Sequence, residues 1–257
     1  MWYQIGAYFR FLWYSTNQHG VHSPFVYQLV TKCFYHKKQR PAYSVWKKTQ
    51  QALKNDQREI QMFDAGAGSR VFSSEKRSIS SIAKNAGTKS KRAKLLNRLV
   101  GYLEVGNALE LGTSLGLGSL AMNLDNQIQL TTVEACPETL TIAKEVFQKN
   151  KCTSICTVNM TFDEFFAQHP PNITYDLVFL DGHHNGEATL RYYEKILPFT
   201  HENTVLILDD IHWSKGMNNA WETLYKREEV SVSIDTFYWG FLFFRKGQVK
   251  EHFVVRV

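Results

Sequence analysis

Along the second half of the chain, short apolar runs alternate with longer stretches whose apolar residues recur at helical spacing. The runs Ala108-Leu-Glu-Leu111, Ile128-Gln-Leu-Thr-Thr-Val133, Tyr175-Asp-Leu-Val-Phe-Leu180 and Thr204-Val-Leu-Ile-Leu208 each fit a strand. The last two are apolar on both faces, as the buried centre of a parallel sheet requires. Strands are expected near 107–111, 128–134, 154–158, 175–180 and 203–208, and helices at 116–124, 137–149, 161–168, 186–197 and 215–227. Pro137 stands at a helix start, where its fixed φ is favourable. Two further strand-like runs, Val230–Asp235 and Tyr238–Phe244, lie only a few residues apart and imply a hairpin. The pattern is α/β, with a mostly parallel sheet over residues 105–257.

Residues 1–104 read as helices without a sheet. Ser23-Pro24 is an N-cap and first-turn pair that opens a helix from Phe25 to His36, and Pro41 opens a second one reaching about Ile60. Leu95, Leu96, Leu99, Val100 and Leu103 recur at helical spacing. Met1–Tyr14 carries Trp2, Tyr3, Tyr8, Phe9, Phe11, Trp13 and Tyr14. Such a helix packs on the core, pairs with a second copy in a homodimer, or lies in a membrane interface as a peripheral contact. The first 104 residues are accordingly expected to form an extension that caps a substrate or dimerises.

Composition narrows the class. With 257 residues, 44% of them hydrophobic, the chain can bury one large α/β core and an appendage. No run approaches the roughly 18 apolar residues of a spanning helix. The start has no basic residue ahead of its apolar stretch and makes a poor signal peptide. Four scattered cysteines, of which only Cys152 and Cys156 are close, fit a reduced cytoplasmic protein. Charge is uneven: residues 1–100 hold 18 Lys/Arg against 4 Asp/Glu, and residues 101–257 hold 12 against 20. The basic stretch Lys89–Arg98 is either solvated surface or a face for an anionic substrate, a nucleic acid or a membrane.

The candidate chemistry begins at Glu110-Leu-Gly112-Thr-Ser-Leu-Gly116-Leu-Gly118-Ser119, where a strand breaks into a glycine turn and a helix follows. Glycines let backbone amides approach a ligand closely, and the following helix turns its first N–H groups toward it. The spacing is looser than the G-x-G-x-x-G of a dinucleotide site, and a carboxylate precedes the first glycine, which suits a cationic amino-acid ligand. One βαβ unit later, Glu134 ends the next strand, where a carboxylate accepts both hydroxyls of a ribose. Asp181, Asp209 and Asp210 end two more apolar runs, so all five acids belong to the carboxyl rim of the sheet, where ligands collect. A second glycine motif, Asp64-Ala-Gly66-Ala-Gly68, lacks a following strand with a terminal acid and reads as a turn in the extension. His19 and His22 flank a glycine and serve either a structural role or contact with a substrate.

These motifs resemble the class I S-adenosylmethionine (SAM)-dependent methyltransferases, whose Rossmann-like sheet closes with one antiparallel strand. Leu180-Asp181-Gly-His183-His184, Tyr192-Tyr193-Glu-Lys-Ile-Leu-Pro198 and Leu208-Asp209-Asp210-Ile-His212-Trp213 resemble the narrower group of cation-dependent O-methyltransferases, of catechol, caffeoyl-CoA and antibiotic-sugar type. The resemblance covers residues 107–245. It implies that Gly112, Thr113 and Ser114 contact the methionyl part of SAM, with Gly116 opening the helix and Ser119 helping to hold the carboxylate. Glu134 then takes the ribose, Ala135 borders the adenine with Met160, Thr161 and Phe162 nearby, and Asp181 or a neighbour meets the ammonium end. In that group the corresponding acids hold Mg²⁺, which falls here on Asp181, Asp209 and Asp210. The position of the catechol-type lysine base is taken by His184, so His184 or His183 removes the proton, or a different acceptor is methylated. His212, Trp213 and Lys215–Asn219 flank the acceptor, a small molecule for which an anionic group is one alternative.

Two other classes stand beside this one. A nucleic-acid methyltransferase accounts for the basic first hundred residues, though no Asn/Asp-Pro-Pro-aromatic motif or RNA-binding module is present. A non-catalytic binding protein on the same scaffold is the other, because fold does not fix activity.

Overall fold

The computed structural model describes residues 2–62, 76–85, 88–169 and 172–257. The second glycine motif, Asp64 to Gly68, lies outside the described residues. The elements in the first hundred residues are α1 (Trp2–Tyr14), α2 (Pro24–Leu29), α3 (Pro41–Asn55), β1 (Glu59–Gln61), β2 (Lys76–Ser78), α4 (Ile79–Asn85) and α5 (Ser90–Tyr102). Alternating elements follow: β3 (Asn107–Leu111), α6 (Leu117–Asn123), β4 (Gln129–Glu134), α7 (Pro137–Lys149), β5 (Ile155–Asn159), α8 (Phe162–Gln168), β6 (Leu177–Leu180) and α9 (Gly186–Ile196). The chain continues through β7 (Val205–Asp209), α10 (Lys215–Leu224), β8 (Val232–Asp235), β9 (Trp239–Phe243) and β10 (Glu251–Val254). Every strand and helix expected between residues 105 and 227 forms, with ends within three residues of expectation. Among the described residues no helix is long and apolar enough to cross a membrane.

The chain divides into two compact units, His36–His169 and Met1–Tyr35 with Pro170–Val257. In the first unit β3, β4 and β5 are parallel and adjacent in that order, with Glu110 opposite Thr132 and Glu134 opposite Asn159. Ala108, Leu109 and Leu111 are wholly buried, as a central strand demands, whereas β5 is only partly covered. Helices α3, α4, α6 and α7 enclose a core that includes Trp46, Leu53, Ile79, Leu120 and Phe147. The indole of Trp46 donates to the carbonyl of Leu117 at 2.9 Å. Buried Asn97 of α5 donates to the carbonyls of Ala121 and Leu124 at 3.0 and 2.7 Å, satisfying groups that the end of α6 leaves open.

The expectation of helices without a sheet before residue 105 needs correction. β1 and β2 form an antiparallel pair in which Ile60 lies opposite Arg77. Helix α3 stops at Asn55 rather than near Ile60 because the carboxylate of Asp56 accepts from the backbone N–H of Arg58 at 2.9 Å, closing an Asx turn. Three residues of alternation, with only Ile60 buried, are too few to stand out in the sequence. The helix expected from Phe25 to His36 is α2, continued by a π-helical turn over Val30–Phe34 in which Tyr35 N–H donates to Val30 O.

In the second unit β6 and β7 are parallel, while β9 runs antiparallel to both β7 and β8, so the expected hairpin is present. The order is β10-β8-β9-β7-β6. β10, parallel to β8, was not anticipated: it is short and mostly half-exposed, and its backbone pairing rather than its side chains defines it. The first 35 residues wrap this hairpin. Tyr8 and Phe11 contact Phe237, Phe25 meets Phe243, and Phe34 meets Phe241. Thr16 bridges Val255, and the Tyr35 hydroxyl donates to Arg256 O at 2.6 Å. The fold is thus α/β and Rossmann-like, mostly parallel, with one antiparallel strand in a C-terminal hairpin and a helical N-terminal region.

Candidate active site

In the first unit, β3 runs into a turn where Gly112, Ser114 and Gly116 all have positive φ, at 109°, 47° and 78°. A Cβ at Gly116 would stand 2.7 Å from the Phe147 ring of α7, so this position needs glycine for its backbone and for the close approach of α6 to α7. Gly112 and Thr113 N–H both donate to Val133 O, which fastens the turn to β4.

Glu110, expected to face a cationic ligand, is instead inside the core, as are Thr113 and Ser119. Its carboxylate accepts from the hydroxyl of Ser119 and from that of Thr132, the latter at 2.7 Å. Burial pushes the Glu110 carboxyl up to about 7, with a smaller push from the Glu134 charge, while the Ser119 and Thr132 hydroxyls pull the other way. The hydroxyl assigned to the methionyl carboxylate therefore ties helix α6 to strand β3, and the amides of Gly112, Thr113, Ser114 and Gly116 donate within the protein, to Val133 O, the Glu134 carboxylate and Thr113 O. Glu134 remains half-buried. Its two carboxylate oxygens accept from Ser114 N–H at 2.8 Å and Cys136 N–H at 2.9 Å, joining the end of β4 to the glycine turn.

Asn159 was missed by the sequence reading. At the end of β5 its amide donates to Glu134 O and Ala135 O, at 2.8 and 3.1 Å, and so fixes the backbone at these two residues, which the resemblance assigns to the ribose and adenine. A polar amide at a strand end was the available signal. Thr161 opens α8 in a capping box with Glu164, whose spacing Thr-x-x-Glu is legible in the sequence.

The second unit holds the three aspartates. Asp181 follows β6 and Asp209 ends β7; together with His184 they place one ligand atom each within 4.8 Å of one another. Asp210, expected as the third metal ligand, is not part of that group, whose third member is His184. Asp210 adopts φ 50° and His183 φ 58°, so two non-glycine residues at this rim hold left-handed backbone, a strain that collects at functional sites. The His183 ring lies 5.4 Å from Tyr192, and the His184 ring 6.1 Å from Trp213.

His212 is engaged at both ring nitrogens: Nδ1 is 2.7 Å from Asn218 Oδ1, and Nε2 is 2.8 Å from Asp235 Oδ2. Stacked on Phe237, it forms part of the wall of a cavity of about 520 Å³ whose other sides include Tyr3, Arg10, Trp221, Tyr225 and His252. His252, stacked on Tyr225 at 4.0 Å, has its imidazole pKa lowered by burial, against an opposing pull from Asp235. The loop after β7 thus serves both features, His212 the cavity and its neighbour Trp213 the acid cluster. His19 and His22 belong to neither; both are exposed, and His19 meets the side chain of Gln18.

Residues 109–211 match the family model described as a methyltransferase domain. No curated protein matches the chain in sequence. Among solved structures, the SAH-bound methyltransferase PaMTH1 of Podospora anserina is similar with a TM-score of 0.60 at 12% identity, over 88% of this chain and 97% of that one. The O-methyltransferase TomG of Streptomyces achromogenes, involved in tomaymycin synthesis and in complex with SAM, gives 0.54 at 16% identity, over 88% and 97%. The O-methyltransferase of Bacillus cereus in complex with SAH gives 0.51 at 18% identity, over 84% and 94%. At these identities the likeness is one of fold. The chain thus has the fold of these methyltransferases, and the family match is confined to residues 109–211.

Proposed function

We propose that the chain methylates a hydroxyl of a small-molecule acceptor and that Asp181, His184 and Asp209 hold a divalent cation for that reaction. The observation that carries this reading is the convergence of two strand-end carboxylates and an imidazole within 4.8 Å in a methyltransferase fold. Unneutralised, the two carboxylates would repel, and the donor set fits a divalent ion. When bound, SAM supplies a methyl on a positively charged sulfur, and the cation fixes an acceptor oxygen while lowering the pKa of its hydroxyl.

The protein's part is placement. Glu134 offers a carboxylate to the ribose hydroxyls, and the positive-φ turn at Gly112–Gly116 lets its backbone approach the methionyl part closely. His184, engaged as a ligand, leaves His183 as the group that takes the acceptor proton. An imidazole among the donors also shifts the choice of metal. A purely carboxylate site would suit Mg²⁺, whereas two carboxylates and a histidine favour a transition ion such as Mn²⁺. The cavity beside His212, whose walls set tyrosine, phenylalanine and tryptophan rings beside Arg10, Glu222 and Asp235, suits a flat acceptor that also carries polar groups.

Calorimetry with SAM and SAH, paired with turnover assays after EDTA treatment, tests the reading. Glu134→Ala is expected to weaken both ligands by about 1.5–3 kcal/mol, the range for hydrogen bonds to a charged group. EDTA is expected to stop methyl transfer without displacing SAM, and Mn²⁺ to restore it. Full turnover in EDTA would remove the cation from the proposal. Tight NAD binding in place of SAM would remove the proposal itself.

A further inference from the structure

The two carboxylates of the proposed cation site stand at strand ends, but its imidazole does not. Asp209 is the last residue of β7 and pairs with Trp239 of β9, so the sheet sets its place. Asp181 directly follows β6. His184 lies three residues further on, ahead of α9, and is brought back to the two acids by what its loop packs against.

That packing partner is the segment Asp210–Ser214, which follows β7 and leads into α10. The Trp213 ring stands 6.1 Å from the His184 ring, centre to centre. Two residues beyond His184, Gly186 opens α9 so close to the first turn of α10 that a Cβ there would collide with Gly216 O. Backbone packed this tightly passes a shift on instead of absorbing it, so the placing of residues 210–216 governs the placing of His184.

His212 fastens the segment at its middle. Its Nε2 lies 2.8 Å from Asp235 Oδ2 at the end of β8, and its Nδ1 2.7 Å from Asn218 Oδ1 on α10. Both anchors are held in turn. The other Asp235 oxygen accepts from Phe237 N–H at 2.7 Å, and the Asn218 amide donates to Glu222 Oε1 at 2.7 Å, which leaves its oxygen turned to His212. The contact with Asp235 is nearly closed to solvent, where a polar bond is strong and a half-made one is costly.

We infer that His212 is a positioning residue for the cation: by tethering residues 210–214 to β8 and α10, it holds His184 within reach of Asp181 and Asp209. The inference rests on the cation reading above. His212 acts through Trp213 and Gly216, not by touching the ion.

Calorimetric titration of the full chain with Mn²⁺ alone tests this, with SAM affinity and the thermal midpoint in EDTA measured alongside. His212→Phe keeps a flat ring to stack on Phe237 but loses both tethers. It is expected to bind Mn²⁺ about 10- to 100-fold more weakly, the range for residues that orient metal ligands, with SAM affinity close to the parent's. Asp235→Asn is the conservative control: its carbonyl still accepts from Phe237 N–H and its amide donates to His212, so Mn²⁺ affinity should stay close to the parent's. Where His212→Phe does not fold, Asn218→Ala removes one tether from a half-buried helix position and should still weaken Mn²⁺ binding. Parent-like Mn²⁺ affinity in folded His212→Phe, or in Asn218→Ala in its stead, overturns the inference, because a merely structural role lowers the midpoint and leaves the ion's affinity alone. So does an Asp235→Asn loss equal to that of His212→Phe, which would assign the effect to charge. A parent chain that binds no Mn²⁺ overturns the cation reading itself, and this inference with it.

Discussion

Glu110 shows how one buried side chain sets a pH response for the fold. Its carboxyl is raised from the ordinary carboxylate range to about 7, chiefly by burial. Between those two values the folded chain keeps a proton that the unfolded chain has already released. Folded protein therefore binds more protons across this window, and stability falls as pH rises through it, with the loss complete above pH about 7. A shift of this size corresponds to at most about 3 kcal/mol. Glu110→Gln keeps the shape and the carbonyl acceptor for Ser119 and Thr132 but has no proton to lose. Urea midpoints measured from about pH 5 to pH 8 should slope downward for the parent and stay nearly flat for the variant. Parallel slopes would place the titrating group elsewhere. The sequence marked Glu110 as a ligand-facing acid because it precedes a glycine turn. What it does not display is that Ser119, nine residues on, and Thr132 on the next strand turn their hydroxyls back to it.

At the scale of elements, two glycines with the same backbone conformation separate strain from packing. Gly116 and Gly247 have φ of 78° and 70°. A Cβ at Gly247 meets nothing within 4 Å, whereas at Gly116 it meets the Phe147 ring at 2.7 Å and Ala143 at 3.1 Å. Gly247→Ala should cost about 1 kcal/mol, the left-handed penalty alone. Gly116→Ala should cost at least about 1–3 kcal/mol more, the typical range for overpacking a core, and weaken SAM binding as the turn shifts. Equal losses in thermal denaturation would mean that α7 yields freely. The strands and crossover helices after residue 105 were legible because burial on both faces writes continuous apolar runs, and Pro137 and Thr161 mark their own helix starts. β1, β2 and β10 were not, since three or four residues of half-buried strand carry no period of their own. The wrapping of residues 1–35 around the C-terminal hairpin was likewise hidden, because aromatic contacts such as Phe25 with Phe243 join positions more than two hundred residues apart.

For the whole molecule, the cation is expected to act on stability as well as on chemistry. The sequence located the acids at the ends of β6 and β7, because strand-terminal aspartates after apolar runs are visible. It assigned the metal to Asp181, Asp209 and Asp210 and the proton to His184 or His183, whereas the convergence of His184 with Asp181 and Asp209 depends on loop geometry that no spacing displays. Two carboxylates drawn to within 4.8 Å repel in the absence of a counter-charge, and a bound divalent ion both relieves this and stabilises by mass action. At a hundredfold excess over its dissociation constant the ion contributes about 2.7 kcal/mol, or roughly 5–10 °C in a chain of this length. Asp209→Asn is nearly isosteric at a buried strand end and removes one charge. Two changes of opposite sign are therefore expected in thermal scans. In EDTA the variant should melt at or above the parent's temperature, because repulsion is gone, and added Mn²⁺ should raise the parent's midpoint but leave the variant's unchanged. Mg²⁺ should raise the parent's midpoint less than Mn²⁺, reflecting the imidazole of His184. A parent midpoint that ignores both ions would leave Asp181, His184 and Asp209 as turn contacts at the ends of their strands.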